Sequence, residues 1–387
     1  MNKNWIVLFI LLTAPFWTVQ GEVDYSSFVN QQFDSSSPFN MKIIENPKID
    51  PNSDQIINLL ATNQAGESGF IIGVEGWTYP IYFPDANTPT YDVPLTEQYS
   101  DNDTLFNVPI PDGATPDPQD DGHLVIIDLQ NRVEYDLWQA RKVGDGWEAS
   151  WGNSISLDSD GIYKYGFSAR GSGFAASLGL VWPEEISNGA IEHALFFSID
   201  DFAVKGGGPV RPATESDGVS DEQYALPEGG RIQLDPTLDL DSLGLTAAEK
   251  VIAKAMQEYG MILGDRGGGI QLYAARPNNY DWGTTFGDVD PVDGFAELFD
   301  GKISIKQFRV LQLGCQFESP IQPGQKLPEY RMYAQDDEVV NDCGDLGTPT
   351  GYADEGGSFE INFSFELAFF GILVAFPLIR KLKKNKV

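Results

Sequence analysis

The chain has two histidines in 387 residues, so acid–base chemistry by an imidazole has to run through His123 or His193. His193 sits in GAIEHALFFSI (189–199), which reads as a strand. Its alternation groups His193 with Ile191, Leu195 and Phe197 and puts Glu192, Ala194 and Phe196 on the other face. On a core face the imidazole is a neutral, hydrogen-bonded structural group; on a concave open face it points at a ligand. His123 opens GHLVIIDL, where the step to Asp128 sets the two on opposite faces of a strand. A histidine base with a tyrosine acid, or a pair of carboxylates, suits polysaccharide cleavage by elimination or hydrolysis. The catalytic candidates are His193, His123, Tyr135 and Glu184, with Glu185 beside them; Arg170 and Arg211 are available to neutralise an acidic sugar.

Sugars show C–H faces beside hydroxyls, and their binders combine flat aromatics with amides, acids and arginine. Trp138, Trp147, Trp151 and Trp182 lie close in sequence among such residues. With Arg170, Arg211, Asp128 and Glu184 as polar partners they form a candidate glycan-binding face, against which stands the plain reading of tryptophans as core. ARGSGFAAS (169–177) lacks the lysine of a phosphate loop and the G-x-S-x-G frame of a nucleophile turn, so its glycines mark a tight connection. No cofactor is indicated. A structural calcium would suit DSDG (158–161), DPTLDLDS (235–242) or DVDPVDG (288–294), none of which fits the EF-hand frame.

The elements that would position these groups are short. Apolar runs bounded by Gly, Pro, Asn and Asp recur at 69–74, 79–83, 123–129, 132–142, 146–155, 191–199, 230–235, 259–265, 269–275 and 308–313. They point to an all-β fold, a β-sandwich or jelly roll of stacked antiparallel strands. One helix is expected near 246–259, with a capping box from Thr246 to Glu249 and Gly260 after its end. Val251, Ile252, Ala255, Met256 and Tyr259 share its packed face. The proline- and acid-rich segment 85–122 and residues 276–307 read as loops, and 22–66 as a polar lead-in.

Both ends concern the membrane. Residues 1–21 have the layout of a secretory signal peptide, Lys3 followed by a short apolar run and small residues. The body is then a β-sandwich ectodomain at 67–348 (core 69–275, C-terminal extension 276–348), followed by a linker at 349–360 and a hydrophobic transmembrane or sorting tail at 361–387. Arg380, Lys381, Lys383, Lys384 and Lys386 would keep the tail's end cytoplasmic and the body outside. In an oxidising compartment Cys315 and Cys343 are expected to form a disulfide worth on the order of 3 kcal/mol. A formal charge of −32, from 25 Lys and Arg against 57 Asp and Glu, argues against nucleic acid as a partner.

PIYFPDANTPTYDV, VPIPDGATPDPQDDGHLVIIDL, YDLWQARK, ARGSGFAASLGLVWPEEISNGAIEHALFF, RPATESDG, PEGGRIQLDP and AKAMQEYGMIL resemble a set of bacterial secreted proteins without an assigned reaction, over about residues 77–275. That resemblance implies an exported β-sandwich with a late helix and transfers no catalytic residue. Gly356, Gly357, the apolar stretch and the basic tail are similar to C-terminal surface sorting signals of the glycine-glycine type, which implies tail cleavage and transfer to an envelope anchor. The resulting expectation is an exported protein at the outer cell surface or in the periplasm, membrane-anchored or released after processing, that binds polysaccharide or another envelope glycan. A glycoside hydrolase or polysaccharide lyase on the same scaffold is the alternative, and a structural or adhesive surface protein the second.

Overall fold

A computed structural model describes residues 23–62, 69–97, 103–164 and 168–319. The signal segment, Cys343, the linker and the hydrophobic tail lie outside them. Cys315 is disulfide-bonded. Among the described residues no helix is long and apolar enough to cross a membrane.

The described chain is β-rich, and each stretch read as a strand contains one. Seven strands form the larger sheet in the order Phe295–Leu298, Phe70–Gly73, Ile270–Tyr273, Leu195–Ile199, Met261–Arg266, Arg231–Leu234 and Phe308–Val310. Five form the second, in the order Ala275–Pro277, Tyr79–Tyr82, Leu124–Asp128, Val133–Trp138 and Trp151–Ser156. Both sheets are mixed, which departs from the expected antiparallel stack: Phe70–Gly73 runs parallel to Ile270–Tyr273, Leu195–Ile199 to Met261–Arg266, and Tyr79–Tyr82 to Leu124–Asp128. Each of these pairs is separated by a long stretch of chain, long enough for the crossover that parallel pairing requires.

Strand alternation builds three cores. In Leu195–Ile199, Leu195, Phe197 and Ile199 enter one cluster while Phe196 enters another. The first cluster lies under the helices Ser53–Leu60 and Ala247–Glu258, through Ile56, Leu60, Ile252 and Met256. The second joins the two sheets, with Phe196 and Ile262 from the larger and Tyr79, Ile81, Val125 and Ile127 from the smaller. The third, on the other face of the smaller sheet, gathers Tyr82, Leu124, Ile126 and Leu137. A hairpin of Thr90–Pro94 with Thr104–Pro109 covers it through Val93, Leu105 and Val108. That hairpin lies inside the segment read as loop, because its prolines fall at strand ends where no ladder N–H is needed. The strand Phe295–Leu298 likewise lies inside a stretch read as loop.

The helix Ala247–Glu258 is capped as its sequence requires. Thr246 Oγ1 accepts from Glu249 N at 3.2 Å, and Glu249 Oε2 accepts from Thr246 N at 2.7 Å. Ile252, Ala255 and Met256 are buried on its packed face, while Val251 sits at the margin of the core. Two further helices, Ser26–Asn30 and Pro183–Asn188, complete the set. The lead-in is fastened to the body by buried Arg231, which donates to the carbonyls of Pro38 (3.1 Å), Met41 (2.7 Å) and Tyr259 (2.7 Å).

Candidate functional site

The histidines settle into the interior. The strand begins at Leu195 rather than Ile191, so His193 is not part of its alternation. It is 5% exposed, with Nε2 2.8 Å from Glu185 Oε1 and Nδ1 2.9 Å from the Ala194 carbonyl. Both neighbours accept only, so an imidazolium donating from both nitrogens satisfies them. Burial opposes that charge, yet the attraction and hydrogen bond of Glu185 outweigh it and raise the His193 pKa above its ordinary value. Glu185 also accepts from Trp182 N at 3.0 Å, capping Pro183–Asn188. His193 thus links this helix to the chain leading into the strand at Leu195 through Glu185 and the Ala194 carbonyl.

His123 is 6% exposed and lies over the Tyr79 ring, with centroids 4.5 Å apart. Burial lowers its pKa to about 4, aided by the charge of Arg170, which leaves it neutral at pH 7. Arg170, 3% exposed, is stacked over Tyr79 and Phe196 at 4.5 and 3.7 Å. It donates to Tyr79 Oη at 3.2 Å, to the Leu178 carbonyl at 2.9 Å and to the Ala176 carbonyl. These bonds fold the 169–177 stretch into a tight connection, and they leave Arg170 unfit to meet an acidic sugar.

The tryptophan face does not assemble. Trp182 is fully buried between the sheets and Trp147 and Trp151 lie in the third core, at 6% and 2% exposure. Trp138 is half-buried, its Nε1 donating to Asp121 at 3.3 Å. Asp128 caps a turn through Gln130 N, Asn131 N and Asn131 Nδ2. Glu184 accepts from Tyr25 Oη at 2.7 Å, Arg211 Nη1 donates to the Pro212 carbonyl, and Tyr135 packs at the edge of the third core. The catalytic candidates are thus dispersed: His123 meets Arg170 around Tyr79, and His193 meets Glu185.

The sequence-adjacent acids also act locally. Asp160 and Asp235 hold turns, Asp239 caps a short 3-10 helix and Asp290 closes a loop. Asp158 pairs with Arg132, and Asp241 with Lys250. Glu134 and Asp136, two apart on one strand, are fully buried and receive the N–H groups of Ser177 (2.9 Å) and Ala176 (3.1 Å). Desolvation and the neighbouring Asp136 push the Glu134 carboxyl well up. This sealed pair binds the connection to the sheet.

Two places among the described residues gather polar groups from remote segments. The first joins Asp217, Glu228 and Asp265 from three separate segments, with one carboxylate oxygen of each within 4.8 Å of the others. A register shift opposite Phe197 and Ser198, at Gly264, sets the direction of Asp265. Glu228 is fully buried; desolvation, then Asp217 and Asp265, raises its pKa. Desolvation and Asp217 raise Asp265 likewise. Arg266 bridges Asp217 (2.8 Å) and Asp201 (3.2 Å) at the rim.

The second is an open groove of about 190 Å³ lined by the apolar Ile56, Val210, Pro227 and Leu313 and by Asp50, Asn52, Lys205, Gln223, Tyr224 and Gln316. Asp50 is fixed by Asn52 N at 2.8 Å, and Gln316 Nε2 donates to Gly206 O at 2.9 Å. Neither place was visible as a motif, since each draws on remote segments. The only local signal is acid next to glycine, in SDG (216–218), EGG (228–230) and GD (264–265). No family model, curated protein or solved structure matches the chain.

Proposed function

We propose that the chain is an exported cell-surface protein whose β-sandwich body binds envelope polysaccharide and does not cleave it. The reading includes the family resemblance over 77–275 and a tail that anchors the body or is processed. What carries it is the composition of the groove's lining: a tyrosine, amides, an acid and a lysine together with apolar residues, the mixture that meets a sugar's C–H face and hydroxyls together. Cleavage is disfavoured because neither histidine faces a groove.

The test is incubation of the purified protein with a polysaccharide panel, reading retention by affinity electrophoresis alongside reducing ends and absorbance at 235 nm. Retention without product supports the reading, and product formation overturns it. A second reading, bulk and display alone, draws on the burial of both histidines and of Trp147, Trp151 and Trp182; absence of retention across the panel favours it.

A further inference from the structure

We propose that Asp217, Glu228 and Asp265 form a calcium site. Glu228 is fully buried, yet its Oε1 accepts no hydrogen bond among the described residues, and neither does the buried Oδ1 of Asp217. Their other oxygens are engaged: Glu228 Oε2 accepts from Asp217 N at 3.0 Å, and Asp217 Oδ2 from Arg266 Nε at 2.8 Å. The two free oxygens converge. A Cβ on Gly171 would lie 2.7 Å from Asp217 Oδ1 and 2.9 Å from Glu228 Oε1, so both face one point beside a glycine that leaves it open. A buried acceptor without a donor calls for a partner, and crowded carboxylates are relieved either by a shared proton or by a cation; a cation satisfies both free oxygens at once.

With the three carboxylates ionised, Arg266, which is shared with Asp201, leaves at least two negative charges for a divalent cation to offset. The ligand set is all oxygen, with no histidine or cysteine, which selects a hard ion. Calcium tolerates an irregular set of carboxylates drawn from separate segments and completes its shell with water. The ion would cross-link the 217 loop, the start of the strand Arg231–Leu234 and the end of Met261–Arg266. Calcium binding stands whether or not a glycan binds in the groove.

The experiment is calorimetric titration of the chelator-treated full chain with CaCl2, paired with thermal unfolding. The expected result is saturable binding at one site and a rise in Tm on the order of 5 °C at a calcium concentration 100 times Kd. Asp265→Asn removes a ligand while relieving repulsion, so it is expected to leave the calcium-free Tm unchanged or higher and to weaken binding at least 100-fold. Gly171→Ala closes the site without changing charge and serves as the second variant. Absence of saturable binding to the parent protein at millimolar calcium, or undiminished binding to folded variants, overturns the proposal.

Discussion

The pairing of His193 with Glu185 gives a signed expectation for stability. Glu185→Gln keeps an oxygen to accept from Trp182 N but removes the charge that opposes the buried imidazolium. Breaking a buried pair costs about 3–5 kcal/mol, and since the cap survives, the lower end, about 3 kcal/mol at pH 6, is expected. The folded pKa of His193 is raised by Glu185 against the effect of burial. Its contribution is therefore fully present below the unfolded value of about 6.5 and lost as pH rises through the folded value. In the variant burial is opposed only by the Ala194 carbonyl, so the His193 pKa falls. The stability gap between parent and Glu185→Gln should be widest at pH 6 and narrow toward pH 9, with a slope of at most about 1.4 kcal/mol per pH unit. Urea unfolding followed by tryptophan fluorescence measures it, with Trp182 fully buried next to the pair. A gap that is negligible, or constant between pH 6 and 9, would refute the pairing as described.

With two histidines in the chain, an NMR titration should resolve both: His123 with a midpoint near 4 and His193 above 6.5. Midpoints on the same side of 6.5 would contradict their environments. Gly264→Ala would place a methyl 2.3 Å from the Phe196 ring and should cost about 1–3 kcal/mol by overpacking, read as a lower urea midpoint. Arg170→Lys should destabilise as well, because an ammonium cannot keep the stacking on Tyr79 and Phe196 and the fork of donors to Leu178 and Ala176. A thermal midpoint matching the parent would refute that role.

Strand positions were legible because alternation and glycine or proline punctuation act locally, and so was the Thr246–Glu249 cap, whose two bonds span three residues. Parallel pairing was not, since it depends on which distant segments come together: Tyr79–Tyr82 beside Leu124–Asp128 has no local signal. His193 misled for a related reason. Its apparent alternation with Leu195 and Phe197 fails because the ladder begins only at Leu195, and the imidazole before it turns to Glu185. The tryptophans carried the composition of a sugar site but the burial of a core, and composition does not distinguish the two. Asp217, Glu228 and Asp265 come from three segments, and the walls of the groove run from Asp50 to Gln316; only tertiary contact unites either set.

The proposed function places recognition in the groove at Tyr224 and gives the histidines structural roles. Retention on the polysaccharide that binds the parent most strongly, compared for Tyr224→Ala and a folded His193→Gln, tests it most directly. At least a 10-fold loss of affinity for Tyr224→Ala with parent-like affinity for His193→Gln is predicted; the reverse pattern would contradict it.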